Sequence, residues 1–297
     1  MPFNPHIIDN PKSERIRHVA GLQRSKGRKR AGRFLVEGPQ SVRELVRWMP
    51  GVVRDCYAQL DDRGQGLLSP VVDRIARDAD GQGLYVHQVT GEVMRHISAD
   101  SQGILAVGDL EAMREGMRHD FDGQGERGGE TYAAFWQVRD PGNAGTVIRS
   151  ADAAGCRAVI FVDDCVDRFN PKVIRSTAGS LFHLPVVTMG TDEFFAWRAG
   201  KGLAVMAADV YGTEKARPES LVDVLDGERD RVGRTDESAG RAILFGNEAR
   251  GLPGEVLKRV DRIVSIPLYG KAESLNLATS TSVMLMSLAM AGHVREG

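Results

Sequence analysis

Three cysteines in 297 residues, Cys56, Cys156 and Cys165, are too few and too scattered for a disulfide framework. None stands in a CxxC pair, and the seven histidines are dispersed with no two at helical ligand spacing, so no metal is expected. No Ser-His-Asp set stands out either. Long apolar runs are also missing. The opening MPFNPHIIDNPKSER has no apolar core, so no signal peptide is expected. The longest apolar stretch, Val283 to Ala291, is too short to span a bilayer. These absences predict a reducing, cytoplasmic protein without a membrane partner. A net charge of −1 argues against a surface that is basic all over. Two phosphate-binding fingerprints are absent, GxxxxGK[ST] and a strand–GxGxxG–helix unit, so the usual dinucleotide-type folds lose support.

What is present is ordinary globular composition, 42% hydrophobic and 27% charged, at a length that suits two domains. The charge is uneven. Nine Lys and Arg side chains lie between Lys12 and Arg33, against the single acid Glu14. The densest part, Arg24, Lys26, Arg28, Lys29 and Arg30, is a candidate contact to a nucleic-acid backbone. A solvated helix face accounts for the same run.

Strands and helices alternate to about residue 110, which predicts a compact α/β unit. Residues 111–130 carry five glycines and many charges and read as a linker or loop. The expected division is therefore a domain over 1–110, a linker over 111–128 and a domain over 129–297. A second polar stretch, 226–240, reads as a surface insertion. In the second half, TYAAFWQV, RAVIFVD and RAILFG lack period-two alternation. Strands buried on both faces have that pattern, as in a parallel sheet covered by helices.

Ligands of parallel α/β sheets gather at the carboxyl ends of strands. Three such ends lead into polar loops: RDPGNAGTVIRSADAAG, NEARGLPGEV and YGKAESLNLATS. Each alone is an ordinary turn or cap; three on one sheet edge suggest a site. The last loop also opens the final helix with Glu273, Ser274, Asn276 and the run Thr279 to Ser282, more hydrogen-bonding capacity than one helix end requires.

Three motifs then stand in order: Asn143-x-Gly145-x-x-x-Arg149-x-Ala151; Phe245-Gly246-Asn247-Glu248-x-x-Gly251-Leu252; and Ile266-Pro267-Leu268 followed by Glu273-Ser274-Leu275-Asn276-Leu277-Ala278. With these the chain resembles the SpoU (TrmH) family of the SPOUT superfamily, RNA ribose 2′-O-methyltransferases. GRFLVEGPQSVRELV in the first half resembles, more loosely, the ribosomal-protein-like α/β substrate-binding domain of many members. The resemblance implies an α/β fold whose C-terminal parallel-sheet domain carries a trefoil knot. It implies S-adenosylmethionine bound in that knot, a homodimer with its active sites at the interface, and ribosomal or transfer RNA as substrate. By motif position the cofactor would be held near Leu244, Gly246, Ile266, Leu268 and Leu275, largely by backbone groups. Arg149 would be the base or its assistant, Asn143 and Glu248 would position RNA, loop or Arg149, and Ser274 and Asn276 would hold the substrate. A guanidinium is protonated near neutral pH, which favours a phosphate-binding or alkoxide-stabilising role for Arg149. A non-catalytic RNA-binding protein and a base methyltransferase on the same fold are the alternatives.

Overall fold

The computed structural model describes residues 4–123, 129–231 and 240–293. The chain forms two compact units, and they are not two consecutive segments. The first comprises Met1–His119 together with Asp167–His183; the second comprises Asp120–Val166 and Leu184–Gly297.

In the first unit the chain runs β1 (Asn4–Ile8), α1 (Glu14–Gly21), α2 (Ser25–Ala31), β2 (Arg33–Glu37), α3 (Pro39–Trp48), β3 (Val53–Gln59), α4 (Pro70–Gly81), β4 (Val86–Val89), α5 (Gly91–Ile97) and β5 (Ile104–Asp109). The five strands form one mixed sheet in the order β1-β4-β3-β5-β2, with β2 and β3 antiparallel to β5. Local chemistry sets the helix starts. The Ser69 hydroxyl accepts from the Val72 amide and Pro70 fills the first helical position of α4.

The expected linker is in part a helix, α6 (Leu110–Asp122), with Leu110, Met113 and Met117 buried at spacings of three and four. That spacing is helical and was masked by the glycine and charge content of the segment. Residues 124–128 of the expected linker lie outside the described residues.

The second unit holds β6 (Thr131–Trp136), α7 (Pro141–Ala153) and β7 (Ala158–Val162). Then α8 (Pro171–Ser176) leaves for the first unit, where the Phe169 ring lies 5.1 Å from Phe34 and Arg175 donates to Glu37 at 2.6 Å. The chain returns through β8 (Val186–Met189), α9 (Thr191–Gly200), β9 (Ala204–Ala208), β10 (Glu219–Ser220), α10 (Leu221–Arg231), β11 (Arg241–Phe245), α11 (Gly254–Leu257), β12 (Arg262–Ser265) and α12 (Leu277–His293). The polar stretch 226–240 is thus helical up to Arg231, and 232–239 lie outside the described residues.

The seven strands make one sheet in the order β10-β12-β9-β11-β6-β7-β8, and every pairing is parallel. All five residues of β7 are buried, as apolar strands without alternation require. The central strand β11 lies between β6 and β9, both earlier in the chain. Helix α12 packs on α7 and α10. It is less buried than its apolar run suggests: Met284, Leu285 and Leu288 are enclosed, but Val283 and Met290 are 38% and 56% exposed.

Among the described residues no helix is long and apolar enough to cross a membrane, and no group of three His, Cys, Asp or Glu side chains is placed to hold a metal ion.

Candidate active site

The carboxyl ends of β6, β11 and β12 lie on the same edge of the parallel sheet, and their loops meet there. After β6, Gln137 adopts a left-handed backbone (φ 53°), uncommon for a residue with a side chain. Its carbonyl accepts from Asn247 Nδ2 at 2.7 Å, which fastens the β6 loop to the β11 loop. Asp140 then caps α7, with Oδ1 accepting from the Asn143 amide at 2.7 Å and Pro141 at the first helical position.

The β11 loop closes on itself. Asn247 and Gly251 exchange backbone hydrogen bonds of 3.2 and 2.9 Å, and Gly251 turns with φ 64°. Gly246 is required for a reason internal to the loop. A Cβ there would stand 2.4 Å from the Gly251 carbonyl carbon and 2.6 Å from the Leu252 amide nitrogen. The loop's own backbone therefore excludes a side chain at Gly246.

Side chains of the three loops form a continuous chain of hydrogen bonds. Glu248 Oε1 accepts from Asn143 Nδ2 at 3.3 Å and from the Asp140 amide at 3.4 Å, and its Oε2 accepts from Asn247 Nδ2 at 3.3 Å. Asn143 Oδ1 accepts from Asn276 Nδ2 at 3.2 Å. Asn276 uses its own Oδ1 to accept from the Ala278 amide, which caps α12. Three of the five expected catalytic residues therefore touch one another. Glu248 orients the β6 loop; none of its described hydrogen bonds goes to Arg149.

The polar start of α12 has three separate uses. Asn276 bridges to Asn143. Ser282 pairs with Ser150 of α7 at 2.7 Å, which joins the two helices. Ser274 carries no described hydrogen bond and lines a cavity. Thr281, in the first turns of α12, is buried with an unpaired hydroxyl.

That cavity, about 530 Å³, lies beside the hydrogen-bond chain. Its size is typical of small-molecule sites. Gly246, Ile266, Leu268 and Leu275 line it, together with Ser274, Asn276 and Glu248. Leu244 does not: its side chain is buried in the core, and the neighbouring Phe245 takes its place in the wall. The segment 208–212 at the carboxyl end of β9, with Asp209, forms another wall that sequence reasoning missed. Asp209 Oδ1 accepts from the Tyr211 and Gly212 amides at 2.8 and 2.7 Å, so it shapes that wall. A strand followed by Asp at the same sheet edge was the available signal.

Arg149 lies elsewhere. It is exposed on α7 and does not line the cavity.

In the first unit Arg24, Lys26, Lys29 and Arg30 are exposed, as phosphate contacts must be. Arg28 is not. It is 3% exposed, its guanidinium bonds Asp167 at 2.6 Å and donates to the Leu22 and Gln23 carbonyls at 3.0 and 3.1 Å. It is an internal anchor for the Asp167–His183 segment, not an RNA contact. A long cation inside a basic run gives no sequence sign of facing inward.

The donor set of the cavity fits S-adenosylmethionine. Apolar Phe245, Leu268 and Leu275 suit an adenine, exposed loop polar groups suit a ribose and an amino-acid end, and carboxylates suit positive charge at sulfur and ammonium. No phosphate cradle is needed, since this molecule has no phosphate.

Comparison with known proteins agrees. Residues 130–286, more than half of the chain, match the family model described as the SpoU rRNA Methylase family. The 23S rRNA (guanosine(2553)-2′-O)-methyltransferase RlmP of Bacillus subtilis is 26% identical over 281 residues, covering 95% of this chain and 98% of its own. The 23S rRNA (uridine(2479)-2′-O)-methyltransferase of Streptomyces viridochromogenes is 34% identical over 152 residues, about half of each chain (51% and 49%). Among solved structures, the AdoMet-bound rRNA methyltransferase of Sinorhizobium meliloti superposes with a TM-score of 0.72 at 27% identity, over 95% of this chain and 97% of that one. The SpoU methyltransferase AviRb of Streptomyces viridochromogenes with AdoMet also gives 0.72, at 26% identity, over 93% and 98%.

Proposed function

From the premise that this chain belongs to the SpoU rRNA methylase family, and is an S-adenosylmethionine-dependent RNA ribose 2′-O-methyltransferase, we propose that it methylates one nucleotide of ribosomal RNA in the cytoplasm. The observation that carries the site assignment is the hydrogen-bond chain Glu248–Asn143–Asn276, which joins all three motif loops beside the cavity.

When bound, S-adenosylmethionine supplies a methyl group already activated on a sulfonium. The task left to the protein is alignment and removal of the ribose proton. Gly246, Ile266, Leu268 and Leu275 would hold the cofactor. Asn143, Glu248 and Asn276 fix the loops relative to one another, so the bound groups meet in one geometry. Ser274, free to donate and accept, would hold the substrate ribose. Arg149 would bind an RNA phosphate and stabilise the alkoxide that develops as the 2′-OH gives its proton to water, while the methyl group passes from sulfur to the 2′-oxygen.

Arg149 does not line the cavity of its own chain, which supports an active site completed in a homodimer. The exposed Val283 and Met290 stand seven residues apart on one face of α12 and offer an apolar stripe for the second copy. The placement of β11 between two earlier strands, followed by return of α12 onto α7, supports the trefoil knot. The first-half domain, expected over 1–110, would contact RNA phosphates through Arg24, Lys26, Lys29 and Arg30. Such contacts give affinity without sequence information.

The test is methyl transfer from labelled S-adenosylmethionine to ribosomal RNA taken from cells lacking this protein. Labelling of a single site supports the proposal. Labelling of transfer RNA alone would reassign the substrate.

A further inference from the structure

A second cavity, about 670 Å³, lies wholly within the first unit. Its walls come from α1, α2, β2, β3 and β5. Arg15, Arg30 and Arg33 and the imidazole of His18 line it together with Asp55 and Tyr57. The chemistry is mixed in a particular way: guanidinium donors, two carboxylates (the exposed Glu14 and the half-buried Asp55) and one phenol around a space that a nucleotide would fill. Arg15, Arg30 and Arg33 are exposed. Asp55 is half-buried and Tyr57 is 1% exposed.

Asp55 is held in place from behind. The His87 ring nitrogen Nε2 lies 2.8 Å from Asp55 Oδ1, and Arg15 lies over the same ring at 3.2 Å. Asp55 Oδ2 has no hydrogen-bond partner among the described residues, nor has the Tyr57 hydroxyl. The hydrogen bond from His87 holds the Asp55 carboxyl below its ordinary range, against the upward push of burial, so it is an acceptor near neutral pH. Burial keeps the Tyr57 phenol protonated and able to donate. A carboxylate set between arginines and a free phenol matches the edge of a base that carries both an amino donor and ring acceptors. Sequence-specific RNA recognition works on unstacked nucleotides whose base edges reach such groups.

We propose that this cavity takes one unstacked nucleotide of the substrate RNA, its phosphate on Arg15, Arg30 and Arg33 and its base edge on Asp55 and Tyr57. The proposal rests on RNA being the substrate. It gives the first unit a recognition role beyond diffuse phosphate binding. Asp55 favours bases with an exocyclic amino group over uracil, which has none.

The experiment uses the full chain, with guanosine and uridine 5′-monophosphates and inorganic phosphate as probes. Calorimetry should show guanosine monophosphate binding at least fivefold tighter than uridine monophosphate, and both tighter than phosphate. Arg33→Gln should weaken guanosine monophosphate at least threefold, and Arg15→Gln with Arg33→Gln at least tenfold. Because Arg15 braces His87, the single Arg33 variant keeps the test decisive should the double variant fold poorly. Both should raise KM for ribosomal RNA and leave S-adenosylmethionine affinity unchanged. Lys26→Gln, outside the cavity, reads the effect of diffuse charge: it should raise KM for RNA and leave mononucleotide binding alone.

Equal effects of Lys26→Gln and Arg33→Gln on mononucleotide binding would overturn the proposal. So would mononucleotide binding with no change in KM for RNA, since the cavity would then serve a free nucleotide. A wild type that methylates RNA, with an Arg33 variant matching it in every constant, sinks the cavity and leaves the methyltransferase standing. A wild type that binds guanosine monophosphate here but transfers no methyl group does the reverse.

Discussion

Replacing Asn143 by Ala cuts the hydrogen-bond chain at its middle. The helix start survives, because Asp140 caps α7 through the Asn143 backbone amide, which Ala retains. Two bonds go: donation to Glu248 at 3.3 Å and acceptance from Asn276 at 3.2 Å. Both are long and partly exposed, so each belongs at the low end of the usual net contribution, about 0.5–1 kcal/mol. Their sum, about 1–2 kcal/mol, corresponds to roughly a 5- to 30-fold loss in rate if it is spent on aligning the loops. The assay is single-turnover methyl transfer to ribosomal RNA at saturating cofactor, with S-adenosylmethionine affinity measured by calorimetry. The rate should fall by that factor, cofactor affinity by less, and the melting temperature by about 2–3 °C. A cycle with Asn276→Ala should show a coupling of about 0.5–1 kcal/mol, because both single variants break the same bond. A rate within twofold of wild type, or strictly additive effects, would refute the reasoning.

Arg149→Ala should lower methyl transfer by roughly 100-fold or more, the scale of losing a donor to a developing oxyanion, with cofactor affinity intact; calorimetry and turnover together check it. Gly246→Ala should weaken S-adenosylmethionine binding at least tenfold, because its Cβ would meet three backbone atoms of Gly251 and Leu252 within 3.0 Å and spread the loop at about 1–3 kcal/mol. Arg28→Ala should destabilise the fold by about 2–3 kcal/mol, since the buried guanidinium holds Asp167 and two carbonyls, while Lys26→Ala should stay within about 0.5 kcal/mol. Denaturant unfolding separates the two.

The parallel sheet and its functional edge were legible because they rest on local signals. Apolar strands without alternation read as buried on both faces, and the Asp140-Pro141 and Ser69-Pro70 pairs mark helix starts. Most of the cavity lining followed from the motif loops. Three things were not legible, each for want of a local signature. Arg28 carries the same charge and neighbours as Lys26 and Lys29, and only the distant Asp167 makes it internal. The Asp167–His183 segment reads as part of the second half, yet packs with the first through Phe34 and Glu37, a long-range choice that periodicity does not encode. Helix α6 was hidden by five glycines and many charges, although Leu110, Met113 and Met117 kept its apolar face.

The central claim is that the methyl group goes to a ribose oxygen of RNA, and alkaline digestion tests it most directly. Alkali cleaves RNA through attack of the 2′-oxygen on the adjacent phosphate, and a methylated 2′-oxygen cannot attack. After reaction with labelled S-adenosylmethionine and complete alkaline hydrolysis, the label should appear in one alkali-resistant dinucleotide. Label recovered in mononucleotides, on the base, would contradict the account.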